Sequence, residues 1–123
     1  MSAQDEITKA IGAHGLWKSR LSSAIESGKS EFTPDQVKAD DACEFGRWLY
    51  GSSLPQTAKQ GQDYETCRHL HAEFHQEAAN VLKLALIGQK DKAIQALGPR
   101  SKFADISASL TGAMIKWKKA IGG

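Results

Sequence analysis

The chain has 123 residues, 41% of them hydrophobic and 24% charged, with a net charge of +2. That length suits one globular domain able to bury a core without cross-links, and so small a charge gives no reason to expect nucleic acid or an anionic membrane surface as a partner. Two cysteines are too few for a secreted disulfide scaffold, the N-terminus has no signal-peptide pattern, and no apolar run reaches the ~18 residues that span a bilayer; a reduced, cytoplasmic protein without membrane insertion is the expectation.

A first helix is expected over residues 4–27. Ile7, Ile11, His14, Trp17 or Lys18, Leu21 and Ile25 recur in steps of three and four, the signature of a core-facing stripe. His14 lies inside that stripe, and Gly28 is a suitable stop. After a polar connector, Thr33-Pro34-Asp35 reads as a helix start: an N-cap, a proline in the first turn and an acid at the positive end. Residues 40–51 read as a short helix capped by Asp40 or Asp41, with Phe45, Trp48 and Leu49 on its apolar side and a turn over residues 51–55.

A long third helix is expected over 56–87. Its apolar set is Tyr64, Cys67, His71, Phe74, His75, Ala78, Val81, Leu82 and Ala85, and Gly88 ends it. Residues 90–97 form a short amphipathic helix that breaks at Gly98-Pro99. The last helix, over 100–120, buries Phe103, Ile106, Leu110, Ala113, Met114, Trp117 and Ile121, while Lys116, Lys118 and Lys119 read as a solvated helix end. No segment alternates with period two. The prediction is one all-α domain over residues 1–123, an up-and-down four-helix bundle with an additional short helix carrying Cys43.

Three histidines therefore occupy core-facing positions. His71 and His75 are one i,i+4 step apart, so their rings share a helix face about 40° and ~6 Å apart and can chelate one metal ion. One buried histidine is usually a hydrogen-bonded core residue, but three neutral imidazoles in apolar stripes each need a partner, and a shared metal satisfies all three. Cys43, beside a helix N-terminus that favours thiolate, is the natural fourth ligand. The set His14, Cys43, His71 and His75 suits Zn²⁺ best, although Cu²⁺, Ni²⁺ or Co²⁺ could also occupy three nitrogens and a sulfur. Cys67 competes for the same face, but it lies about 12 Å along the helix from His75 and could pair only with His71; otherwise it is a core residue. His69 and Glu73 point away from the pair, each about 200° around the axis from His71. Asp40 or Asp41 could orient a ligand histidine.

The blocks Ala13-His14-Gly15-Leu16-Trp17, Cys43-Glu44-Phe45-Gly46-Arg47-Trp48 and His71-Ala72-Glu73-Phe74-His75 together resemble the bacterial chemoreceptor zinc-binding (CZB) domain, over about residues 7–120. The resemblance implies a four-helix bundle holding one zinc ion with three histidines and one cysteine, carried here by His14, Cys43, His71 and His75. It also implies a regulatory rather than catalytic role. Members of the family are usually attached to cytoplasmic chemoreceptors or to diguanylate cyclases, sense zinc or oxidants, and often form homodimers. No receptor coiled coil or cyclase sequence is seen in this chain, so a free-standing member and an excised domain are both open expectations, with Met1 and its short acidic start mildly favouring the first.

The expected mechanism is a switch in which loss of zinc, or oxidation of Cys43, frees the short helix that carries it. Three alternatives use the same residues. A purely structural zinc site differs only in whether the metal leaves or the thiolate oxidises. A hemerythrin-like di-iron bundle needs about five histidines and bridging carboxylates, and the chain has four histidines. A zinc hydrolase needs an open coordination position and a nearby base, and Glu73 is misplaced for that.

Overall fold

In the computed structural model, which describes residues 3–39, 43–52, 54 and 56–122, the long helix α5 (Gln62–Leu86) lies at the centre of the packing. It follows α1 (Ala3–Gly15), α2 (Trp17–Ser27), α3 (Pro34–Lys38) and α4 (Glu44–Tyr50), and precedes α6 (Lys90–Leu97) and α7 (Lys102–Gly122). Among the described residues there is no strand. The all-α bundle is as the hydrophobic periodicity predicts. α5 packs against α7, α3, α2 and α6, while α1 packs against α7 and α4. Of the shorter helices, α3 packs on α5, α4 on α1, and α6 on α5, α2 and α7. None of the helices is long and apolar enough to cross a membrane, among the described residues.

The α5 stripe predicted from period 3.6 is buried in full: Tyr64, Cys67, His71, Phe74, His75, Ala78, Val81, Leu82 and Ala85. On α7 the buried face is Phe103, Ile106, Leu110, Met114 and Trp117, with Ala113 and Ile121 only half-buried. Each large apolar side chain taken fully from water contributes roughly 1.5–3 kcal/mol before ordering costs. Trp117 also stacks 5.6 Å from both Trp48 of α4 and Tyr64 of α5. The Tyr64 hydroxyl donates to the Leu49 carbonyl at 3.0 Å, and Lys59 Nζ donates to the Gly51 carbonyl at 2.8 Å. These contacts pin the C-terminal end of α4 to the bundle.

Three boundaries differ from the sequence reading. The helix expected over 4–27 breaks at Leu16, whose amide donates three residues back to Ala13 at 3.3 Å. Gly15, a poor helix former, precedes the break, and the packing partners change there: α1 faces α7, whereas α2 faces α5 and α6. The helix expected over 56–87 starts later. Gln56–Lys59 make a 3₁₀ turn, and Gly61, extended at φ −85° and ψ 161°, is the N-cap of α5. The short helix expected from residue 40 begins at Glu44, and its N-cap is Cys43 rather than Asp40 or Asp41, which lie outside the described residues. The start at Thr33 is as expected. Its hydroxyl accepts from the Gln36 amide at 3.2 Å, and Gln36 Oε1 accepts from the Thr33 amide at 3.0 Å, a reciprocal capping box.

Candidate metal centre

Four side chains converge where α1, α5 and the start of α4 meet. His14 comes from the last turn of α1, just before the break at Leu16. His71 and His75 come from successive turns of α5, and Cys43 from the N-cap of α4. One potential ligand atom from each lies within 4.8 Å of every other. Cys43 Sγ is 3.3 Å from His71 Nε2 and 3.6 Å from His75 Nε2, and the two Nε2 atoms are 3.1 Å apart. A tetrahedral zinc shell with ordinary Zn–N and Zn–S bonds has N–N edges of about 3.3 Å and N–S edges of about 3.6 Å. These three edges, between Cys43, His71 and His75, match those values to within a few tenths of an ångström.

Hydrogen bonds turn two of the rings into metal-facing donors. His14 Nδ1 donates to the Ala10 carbonyl and His75 Nδ1 to the Val37 carbonyl, each at 2.8 Å. A carbonyl only accepts, so both Nδ1 atoms carry the proton and the neutral rings present bare Nε2 lone pairs to the cluster. Lone pairs and a sulfur at these separations repel unless a proton or a cation sits among them, and the donor set of three nitrogens and one sulfur fits zinc. His71 lacks such support: among the described residues its buried Nδ1 has no hydrogen-bond partner.

The two α5 rings are walled off from water, and His14 nearly so. His71 and His75 are 0% and 2% exposed and His14 is 8% exposed, whereas Cys43 is half-buried. Phe45 packs 5.0 Å from His71 and 5.8 Å from His14, and Phe74 lies 5.2 Å from His14, all edge to face. Cys43 Sγ also accepts the Gly46 amide at 3.3 Å, and an N–H aimed at the sulfur from a helix start is a contact that favours a thiolate ligand over a thiol.

The family model for the chemoreceptor zinc-binding domain matches residues 14–82, from the first of these donors to just beyond the last. The chain belongs to that family. Neither the curated proteins nor the solved structures yielded a match. Zinc is thus the cofactor of this CZB domain, in keeping with the His and Cys donors gathered in one cluster.

Of the residues singled out in the sequence, the structure brings His14, Cys43, His71 and His75 together and leaves two others out. Cys67 is buried in the core and outside the cluster, and burial pushes its thiol up to about 12. His69 is exposed and pairs with Glu73 at 2.6 Å, which occupies the one acid of the histidine segment. Periodicity did not reveal the carbonyls of Ala10 and Val37 as ring acceptors, because a main-chain oxygen leaves no mark in a side-chain pattern. His14 and Ala10 are, however, one i,i+4 step apart, and that spacing could have suggested the contact.

Burial also sets an acid limit on the zinc-free CZB domain. Desolvation lowers His14 from 6.5 to about 4, the Ala10 carbonyl opposing and His75 adding to the shift. Desolvation lowers His71 further, with His75 and His14 adding to it. In the unfolded chain both rings take up protons near 6.5, so acid favours unfolding. Zinc-free protein is expected to have constant stability from these groups above pH ~6.5 and to lose it progressively as pH falls toward and below 4. Urea unfolding midpoints across a pH series check this; a midpoint unchanged between pH 7 and 4.5 would contradict it.

Proposed function

We propose that this CZB domain is a zinc-dependent sensory module in which His14, Cys43, His71 and His75 hold one zinc ion and Cys43 is the ligand that responds. The observation that carries the proposal is the asymmetry of the four donors. Three lie buried on long helices, whereas Cys43 is half-buried and caps a seven-residue helix. When bound, zinc supplies a cationic anchor that keeps the Cys43 sulfur deprotonated and draws the start of α4 onto α5. The chain does the rest. The Ala10 and Val37 carbonyls hold the His14 and His75 rings in orientation, Phe45 and Phe74 exclude water, and the Gly46 amide steadies the thiolate.

A two-electron oxidant such as hydrogen peroxide can take the place of metal loss as the trigger. The Cys43 thiolate attacks one peroxide oxygen, the O–O bond breaks, hydroxide leaves, and sulfur becomes sulfenic acid, a poorer ligand. Either event frees the same element, the N-terminal turn of α4, and so becomes a packing change that a partner can read. The partner class that the family suggests is a chemoreceptor or a diguanylate cyclase, with the domain acting as a homodimer in the cytoplasm and without enzymatic activity of its own. Two cysteines that are not joined in a disulfide suit that reduced setting. A single continuous core drawn from α1 to α7 supports reading residues 1–123 as one domain.

Two measurements test the proposal. Metal analysis of purified protein is expected to give about one zinc per chain, as a single tetrahedral cluster requires; two irons per chain would point to a di-iron bundle instead. Mass spectrometry after graded peroxide treatment is expected to find Cys43 modified first, because the Cys67 thiol is buried and held protonated. Cys67 modified at doses that leave Cys43 intact would reduce the site to a structural one.

A further inference from the structure

A groove of about 550 Å³ runs along α1 and ends on the Cys43 turn, with His14, Cys43 and Phe45 at its inner end. Its outer wall is built rather than collapsed. Trp17 and Phe32 pack at 5.6 Å, and the Arg20 guanidinium sits 5.0 Å from the first ring and 5.9 Å from the second. That stack fixes Phe32 against Trp17 and Arg20 of α2 in the groove's lining, at a cation–π distance that favours an ordered wall. A second groove of about 500 Å³, between the α1–α2 break and α7, reaches His14 but not Cys43. The two histidines of α5 line neither groove.

We propose that the α1 groove is the access channel through which small thiolate-reactive solutes, of the size of a peroxide or a small disulfide, reach Cys43 Sγ. This rests on the reading of Cys43 as the responding ligand and adds where the reagent comes from. The groove is slightly larger than the one beside α7 and meets the cluster's half-buried donor. Ala13, exposed on α1 and beside His14 in the chain, lines it, so a larger side chain there narrows the passage from the solvent side. Ala108, exposed on α7, lines the second groove and provides the matched control.

The test compares wild type, Ala13→Phe and Ala108→Phe. Iodoacetamide alkylation of Cys43 is followed by mass spectrometry in zinc-free protein, and zinc release to a coloured chelator is followed by stopped flow. Ala13→Phe is expected to slow Cys43 alkylation about tenfold, since thiol reactivity follows access, and to slow zinc release in parallel without changing equilibrium zinc affinity. Ala108→Phe is expected to leave both rates at wild-type values. Wild-type rates in Ala13→Phe, or equal slowing in Ala108→Phe, would overturn the channel. Cys67 reports on folding within the same spectra, because it is fully buried. If Cys67 becomes reactive in Ala13→Phe, Gly12→Leu replaces it: Gly12 lines the groove, and a Cβ there meets nothing within 4 Å. Should wild-type protein take up no zinc, the metal reading fails, yet the alkylation rates still decide the channel.

Discussion

Replacing His71 by alanine is expected to weaken zinc binding by at least about a hundredfold, the largest loss predicted for any single histidine. Structural zinc sites bind with roughly 10–16 kcal/mol shared over four ligands, so one ligand accounts for about 3 kcal/mol or more. His71 is also the middle of the cluster. Its ring centroid lies 4.8 Å from His14, 4.5 Å from His75 and 5.0 Å from Phe45, and its Nε2 is 3.3 Å from Cys43 Sγ. Alanine removes a ligand and leaves a dry gap among three rings, which the remaining donors cannot close without moving. Competition titration with a chelator of known affinity measures the loss. Cys43→Ala is expected to fall in the same range. His69→Ala is the control: its ring is 70% exposed and pairs with Glu73 outside the cluster, so affinity should hold. Wild-type affinity in His71→Ala would show that the ligand assignment is wrong.

How much of this was legible in the sequence follows from what each feature leaves in the side-chain pattern. The α5 stripe was readable in full because a buried helix face repeats apolar residues every three or four positions, and nothing interrupts that rhythm from Tyr64 to Ala85. His14, His71 and His75 were readable for the same reason, as polar residues at apolar positions. The break at Leu16 was not. The stripe runs on from His14 through Trp17 to Leu21, so periodicity sees one helix where the backbone makes two. The start of α4 was misplaced because Asp40 and Asp41 are strong capping types, whereas the residue that caps Glu44–Tyr50 is a cysteine whose sulfur accepts the Gly46 amide. That misplacement bears on function. A cysteine inside a helix would be held by its neighbours on both sides, whereas a cysteine at the cap controls whether the first turn forms.

Removal of zinc is expected to loosen that first turn and leave the rest of α4 in place. The N-terminal amides of the helix depend on Cys43: Gly46 donates to its sulfur at 3.3 Å and Arg47 to its carbonyl at 2.9 Å. The C-terminal end depends on groups far from the metal, namely Trp48 against Trp117, the Leu49 carbonyl on the Tyr64 hydroxyl and the Gly51 carbonyl on Lys59. With the zinc anchor gone, α4 should pivot on this pinned end rather than detach. Hydrogen exchange resolves the difference. Chelation is expected to speed exchange at Gly46 and Arg47 by at least about tenfold, as local opening near zero free energy would, while amides at Val81 and Leu82 in the α5 core stay protected. The melting temperature should fall by about 10 °C, the shift that corresponds to losing a ligand held at roughly a hundred times its dissociation constant. Uniform acceleration along the chain would instead mean that zinc holds the whole fold. No acceleration at Gly46 would mean that the metal can leave without moving the element through which a partner could sense its loss. Only the local pattern gives the domain two folded states that differ at one helix end, and a zinc or thiol signal needs such a pair of states to be transmitted.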